Sequence, residues 1–267
     1  MMIAQEEAWD LRGAVWSTSA GSVATDGVYM KTEQRIDGVD FYLKLSGYDS
    51  YRGIYGHESV NELIAYRLGK RLGFDVPEGI LKKSLVRIDD KDHEGYVFAA
   101  RSYRAEGSRA AFEDFYVDNR QTDKESPLDL CRRFGWIDYI YKMFVFDYLI
   151  INRDRHGANL EVMKNGDKRL SPFFDNGLSF VCSCTDEKQL SSFNIMEDRP
   201  VNNFIGEKSL DANIGKIDRQ VGFNDLKEAD KVGIFDGLSG VLPEKYFSVI
   251  WEIIWTRWQN VAKFRIA

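Results

Sequence analysis

Asn152-Arg153-Asp154-Arg155-His156-Gly157-Ala158-Asn159, followed downstream by Phe174-Asp175-Asn176-Gly177, is the stretch on which the reading of this chain turns. A carboxylate and a carboxamide, Asp154 and Asn159, lie five positions apart in a polar turn. Upstream, Trp136 to Ile151 carries apolar residues at Ile137, Ile140, Phe144, Tyr148 and Ile151, the three-and-four spacing of a helix with one face in a core. The polar run from Asn152 ends it. Downstream, Leu160 to Met163 and Arg169 to Phe173 have strand composition, and Lys164-Asn165-Gly166-Asp167 between them holds the Asn-Gly pair that accepts positive φ in a tight hairpin. A hairpin sets the residues before its first strand beside those after its second. Asn159 and Asp175 are therefore expected to meet although they are sixteen positions apart.

That meeting has a chemistry. Magnesium takes hard oxygen ligands, keeps several waters, and is held by one or two carboxylate or amide oxygens together with nucleotide phosphates. Asn159 and Asp175 suit it. Phosphoryl transfer also needs a carboxylate that orients the incoming hydroxyl and accepts its proton, and Asp154 is the candidate. A plainer reading makes Asp154 and Asp175-Asn176-Gly177 ordinary turn formers. It accounts for each residue singly but not for all three together with the hairpin.

The run from Asp147 to Asn159, Asp-Tyr-Leu-Ile-Ile-Asn-Arg-Asp-Arg-His-Gly-Ala-Asn, with Ser-Pro-Phe-Phe-Asp-Asn-Gly-Leu-Ser-Phe at 171 to 180, resembles the HipA-like serine/threonine kinases. It is also similar to the phosphatidylinositol 3- and 4-kinases, whose metal motif reads Asp-x-Gly-Leu followed by an aromatic. The resemblance implies that Asp154 is the catalytic aspartate, Asn159 the metal-binding asparagine, and Asp175 the metal-binding aspartate that begins an activation segment, here Ser179 to Asn203. It gives His156 a role in supporting the turn. It also implies ATP and Mg2+ as cofactors, a protein substrate, and, by family analogy, an antitoxin-like regulatory partner.

A kinase needs a nucleotide lobe before this centre. Gly38 to Leu45 reads as a strand with Lys44 near its end, in the place of the lysine that pairs with the α- and β-phosphates. Ser59 to Gly73 reads as a helix with Leu63, Ile64, Leu68 and Leu72 on one face and Gly73 at its end. Glu62 either faces Lys44 or, in the Ser59-x-x-Glu62 pattern, closes a capping box, with Glu58 as the other candidate partner. Ser17 to Val23 stands where a phosphate-covering loop belongs, with Ser19, Gly21 and Ser22 as its small residues. The resemblance makes Ser19 and Ser22 candidates for autophosphorylation. Gly95 to Ala100 reads as a strand running into Arg101, Ser102 and Tyr103, a hinge whose backbone could meet adenine. HipA-like proteins carry a further region before the phosphate loop, so the chain reads as a bare kinase core.

With 267 residues, the chain can bury about three quarters of its unfolded surface in one bilobed unit. A net charge of -6 and a pI near 5.3 leave no broad basic face. Direct nucleic-acid binding and tight docking on anionic lipid are both disfavoured. Cys131, Cys182 and Cys184 suggest no disulfide framework and fit a reducing cytosol, and with His57, His93 and His156 they form no zinc set. The first nine residues lack a signal-peptide pattern, and no apolar run approaches a membrane span. A soluble, cytoplasmic protein is expected. Ala105 to Ser126 is polar and reads as a mobile connection, while Pro243 to Phe264 reads as a closing helix with an apolar aromatic stripe.

The expected architecture is an α+β, protein-kinase-like bilobed fold. Residues 1–104 would form a sheet-rich nucleotide-binding lobe and 105–267 a mostly helical catalytic lobe. The expected activity is an ATP- and Mg-dependent protein serine/threonine kinase. A phosphoinositide kinase and a non-catalytic nucleotide-binding regulator or toxin–antitoxin component are the alternatives.

Overall fold

The computed structural model describes residues 8–17, 30–103, 109–164 and 168–266. Strands come first: β1 (Trp9–Leu11), β2 (Lys31–Ile36), β3 (Val39–Leu45), β4 (Gly47–Asp49) and β5 (Gly53–Tyr55) precede helix α1 (Glu58–Leu72). Then follow β6 (Gly79–Ile88), β7 (Lys91–Arg101) and β8 (Arg109–Ala111). The remainder is largely helical, with α2 (Phe112–Asn119), α3 (Pro127–Arg133) and α4 (Ile137–Ile150) ahead of β9 (Asp154–Arg155), β10 (Glu161–Met163) and β11 (Arg169–Leu170). It closes with α5 (Glu187–Ser191), β12 (Asn202–Asn203), α6 (Leu210–Gly215), β13 (Val221–Gly222), α7 (Asp230–Phe235), α8 (Glu244–Val261) and β14 (Arg265–Ile266).

The main sheet has the order β1-β6-β7-β3-β2, antiparallel except for the β1–β6 pair. Its two tight reversals are set by residues that tolerate left-handed backbone. Asp37 and Gly38 (φ 49° and 78°) turn β2 into β3, and Asp89 and Asp90 (φ 50° and 60°) turn β6 into β7. Side chains alternate across a strand. Leu43 and Leu45 enter a small apolar core with Leu11, Val86, Ile88, Val97 and Ala99. Lys44 lies between them, paired with Phe98 of β7, on the opposite face of the sheet. That face meets α1.

Helix α1 buries Val60, Leu63, Ile64, Ala65, Leu68 and Leu72 in the same large core as α4 and α8. It stops at Gly73 in the left-handed conformation, φ 75°, with the Phe74 amide returning to the Gly69 carbonyl at 2.8 Å. Helix α4 is buried almost all round, Met143, Val145, Phe146 and Leu149 included, rather than along the single stripe its sequence spacing suggests. Helix α8 buries Phe247, Ile250, Trp251, Ile254, Trp258 and Val261, and Trp255 stacks on Trp251 at 5.6 Å. Among the described residues no helix is long and apolar enough to cross a membrane.

Two sequence expectations change. Residues 109–126 are not a loose connection: β8 pairs with β10, and α2 buries Phe112 and Phe115. With only two apolar anchors among Glu113, Asp114 and Asp118, the helix has too little pattern to announce itself. The strand expected over Arg169 to Phe173 stops at Leu170: the Ser171 amide still bonds the Glu161 carbonyl of β10, but the Phe173 amide leaves the ladder for the Asp75 carbonyl. The hairpin itself is present, with Val162 opposite Leu170 and Met163 opposite Arg169, and its Asn165-Gly166 tip lies outside the described residues.

Candidate active site

Lys44 stands at the centre of the site. Its Nζ donates to Glu62 Oε1 at 2.5 Å and to Asp175 Oδ1 at 2.8 Å. Strand β3 presents the amine, α1 brings the glutamate, and the chain after β11 supplies the aspartate. The first turn of α1 has no side-chain cap bond, and Ser59 instead pairs with Ser46, hydroxyl to hydroxyl at 3.0 Å. Glu62 thus meets Lys44 and closes no capping box. Glu58 accepts the Gly47 amide at 3.3 Å.

The turn after α4 is organised by a residue that motif reading passed over. Arg155 is buried and forks onto both oxygens of Asp147, with Nη2 to Oδ1 at 2.8 Å and Nε to Oδ2 at 3.1 Å. The same guanidinium donates to Asn176 Oδ1 at 2.8 Å and to the carbonyls of Asn159 and Phe174 at 3.2 and 2.6 Å. One Arg155 nitrogen therefore holds the backbone of Asn159 and that of the residue before Asp175. Asn152 adds a bond from Nδ2 to Asp147 Oδ1 and accepts the Asp154 amide on Oδ1. The one trace of this network in the sequence is Asp147, a charge inside an apolar helix, which demands a buried partner.

Within this frame, Asn159 Nδ2 donates to the Asp154 carbonyl at 2.8 Å, leaving its carboxamide oxygen for a ligand role. Asp154 Oδ1 accepts from Asn202 Nδ2 at 3.1 Å. His156 Nδ1 accepts the Ala158 amide at 3.1 Å, so in the neutral ring the proton sits on Nε2, the atom 3.8 Å from Asp154 Oδ2. Helix α1 is tied to the segment after Asp175 by Asn61, whose Nδ2 donates to the Gly177 and Ser179 carbonyls at 3.0 Å each, and His57 Nε2 lies 3.1 Å from the Val181 carbonyl.

A cleft opens beside Lys44. Lys44, Glu62 and Asp175 form its polar end, and Tyr66, Val76, Phe98, Ala100 and Phe174 its apolar walls. Arg101, Ser102 and Tyr103 line it too. The Arg101 and Ser102 amides are already engaged by the Glu78 and Asp40 carbonyls, so they are not free to read a base. Ser19, Gly21 and Ser22 lie outside the described residues. All three cysteines are free thiols. Among the described residues no cluster of three or more His, Cys, Asp or Glu could hold a metal. One carboxylate with one carboxamide, Asp175 with Asn159, is the donor set that fits a magnesium ion carried in on phosphates.

Burial alone would raise the Asp175 carboxyl, but Lys44 and Lys31, with Arg155 behind them, outweigh it and hold the group down at about 2. Burial likewise opposes the Lys44 ammonium, and Asp175 and Glu62 overcome it, raising the amine above its ordinary value. A carboxyl depressed on folding contributes stability that is present above its ordinary 3.8 and lost as the pH falls toward 2. Acid unfolding followed by circular dichroism should therefore be shallower between about pH 4 and pH 2 in Asp175→Asn than in the unaltered chain.

No protein-family model and no curated protein sequence matches the chain. Solved structures do. The chain is similar over 97% of its length to 96% of the Helicobacter pylori proinflammatory kinase CtkA, at 12% identity and a TM-score of 0.61. It also matches HipA of the Shewanella oneidensis MR-1 toxin–antitoxin complex with HipB and operator DNA, over 91% of this chain and 58% of that one, at 15% identity and a TM-score of 0.44. WaaP in complex with acyl carrier protein aligns at 11% identity over 94% and 90% of the two chains, with a TM-score of 0.40. The shared property is the fold, an α+β kinase architecture as the sequence resemblance implied.

Proposed function

We propose that this chain is an ATP- and Mg2+-dependent protein serine/threonine kinase of the HipA-like type, moving the γ-phosphoryl group to a protein hydroxyl. The observation that carries the proposal is Lys44 bonded at once to Glu62 and Asp175 in a cleft with apolar walls. In this reading Lys44 positions the α- and β-phosphates, with Glu62 fixing the amine. Asn159 and Asp175 hold the metal, which when bound screens the phosphate charge. Asp154 orients the acceptor hydroxyl and takes its proton. Tyr103, Ser102 and Arg101 flank the base, and the nucleotide lobe gives way to the catalytic lobe near residue 104. The overall charge of -6 supports a protein acceptor over an anionic lipid surface, and the free thiols support a cytoplasmic location. Among partners, a regulatory protein of the antitoxin kind fits the family analogy.

Ligand-linked stabilisation tests the reading. ATP with MgCl2 at a hundred times its dissociation constant should add about 2.7 kcal/mol and move the melting temperature by several degrees. Label from γ-32P-ATP should appear on protein and not on lipid vesicles. A melting curve that ATP and magnesium leave in place would defeat the proposal.

A further inference from the structure

We propose that Asn202 is a positioning residue for the catalytic carboxylate, so that the segment after Asp175 sets the orientation of Asp154; this rests on the kinase reading above. Strand β12 runs parallel to β9, with Asn202 opposite Asp154 and Asn203 opposite Arg155. The register is fixed by backbone bonds from the Asn202 amide to the Arg153 carbonyl at 2.8 Å and from the Phe204 amide to the Arg155 carbonyl at 3.1 Å. Val201 and Asn203 are buried on either side, and Asn203 Oδ1 accepts the Ile205 and Gly206 amides. Alternation then turns Asn202 outward, onto the face where an acceptor must approach. It is exposed, and Nδ2 donates to Asp154 Oδ1 at 3.1 Å.

A single donor on one carboxylate oxygen restricts rotation of the group. Oδ2, 3.8 Å from His156 Nε2, remains for the acceptor proton. In the transfer step the hydroxyl oxygen bonds to the γ-phosphorus, its proton passes to Asp154 Oδ2, and the bond to the bridging oxygen breaks as ADP leaves with the electron pair. An unheld carboxylate would meet the hydroxyl in the right geometry less often, a cost that falls on turnover and not on nucleotide binding.

The test uses the full chain, with ADP release and self-labelling from γ-32P-ATP as readouts, and melting temperature with and without ATP and magnesium as the control for folding. Asn202→Ala should lower kcat about 10-fold, with KM for ATP and the nucleotide-induced melting shift unchanged. Asn202→Asp, of equal size but without a donor, should lose more because two carboxylates face each other. Asn202→Gln, which keeps the amide, should recover much of the loss. An unaltered kcat in Asn202→Ala overturns the assignment, as does a loss of kcat matched by a loss of melting temperature, the mark of a merely structural contact. An unsubstituted chain that neither binds ATP nor releases ADP strikes down the kinase reading, and this assignment with it.

Discussion

Asp154→Asn is expected to slow phosphoryl transfer by about 10³-fold while leaving nucleotide binding in place. The substitution keeps size and shape and removes the negative charge and with it the capacity to accept a proton. The frame around residue 154 does not depend on its carboxylate. The backbone amide bonds to Asn152 Oδ1, the carbonyl accepts from Asn159 Nδ2, and the β9–β12 pairing is between main chains. Asn159, the proposed metal ligand, should therefore hold its position. The melting shift with ATP and magnesium should match that of the unaltered chain, and KM for ATP should stay within a factor of about two while kcat falls. Single-turnover label transfer gives the clearest measure, since it isolates chemistry from product release. A rate within a few-fold of normal would show that another group takes the proton.

Arg155→Met should have the largest effect on stability, about 3–5 kcal/mol. Arg155 and Asp147 are both essentially without solvent, at 2% and 1% side-chain exposure. Removing the guanidinium leaves the Asp147 carboxylate with Asn152 as its remaining side-chain donor, and takes a donor from the Asn159 and Phe174 carbonyls and from Asn176. For a chain of this size, the loss corresponds to a fall in melting temperature of roughly 10 °C or more. Denaturant titration would give the free energy directly. Replacing both partners, Asp147→Leu with Arg155→Met, should recover part of it, because the uncompensated charge is then gone. If the single substitution costs less than about 1 kcal/mol, the buried pair is not what ties the two halves of the turn.

Local signals carried much of this architecture. The spacing along α4 and α8, Gly73 at the end of α1 and the strand pattern around Lys44 all belong to one element at a time, and such patterns survive in a bare sequence. The meeting of Asn159 with the chain before Asp175 followed from hairpin logic. What stayed hidden was contact across sequence distance. Arg155 reads as one more basic residue in a polar turn, and only its burial against Asp147 and Asn176 turns it into the hub. Asn202 sits 48 residues from Asp154, in a stretch with no motif, and the parallel pairing of two dipeptides leaves no periodicity to find. Glu62 has two readings in the sequence for the same reason: the capping pattern is local and legible, whereas the Ser46 hydroxyl that engages Ser59 is thirteen positions away.

Helix α1 is held from two sides: it packs on β3, β6 and β7 and bonds Ser46 and Gly47, while Asn61 and His57 fasten it to the chain after Asp175. Lys44 rides on the sheet. The Lys44–Glu62 contact therefore lies between elements packed on each other, whereas the Lys44–Asp175 contact joins the sheet to the chain after β11, so the second can break while the first holds. On the kinase proposal, a bound phosphate would take the place of Asp175 as the partner of the amine, with Glu62 left to hold it.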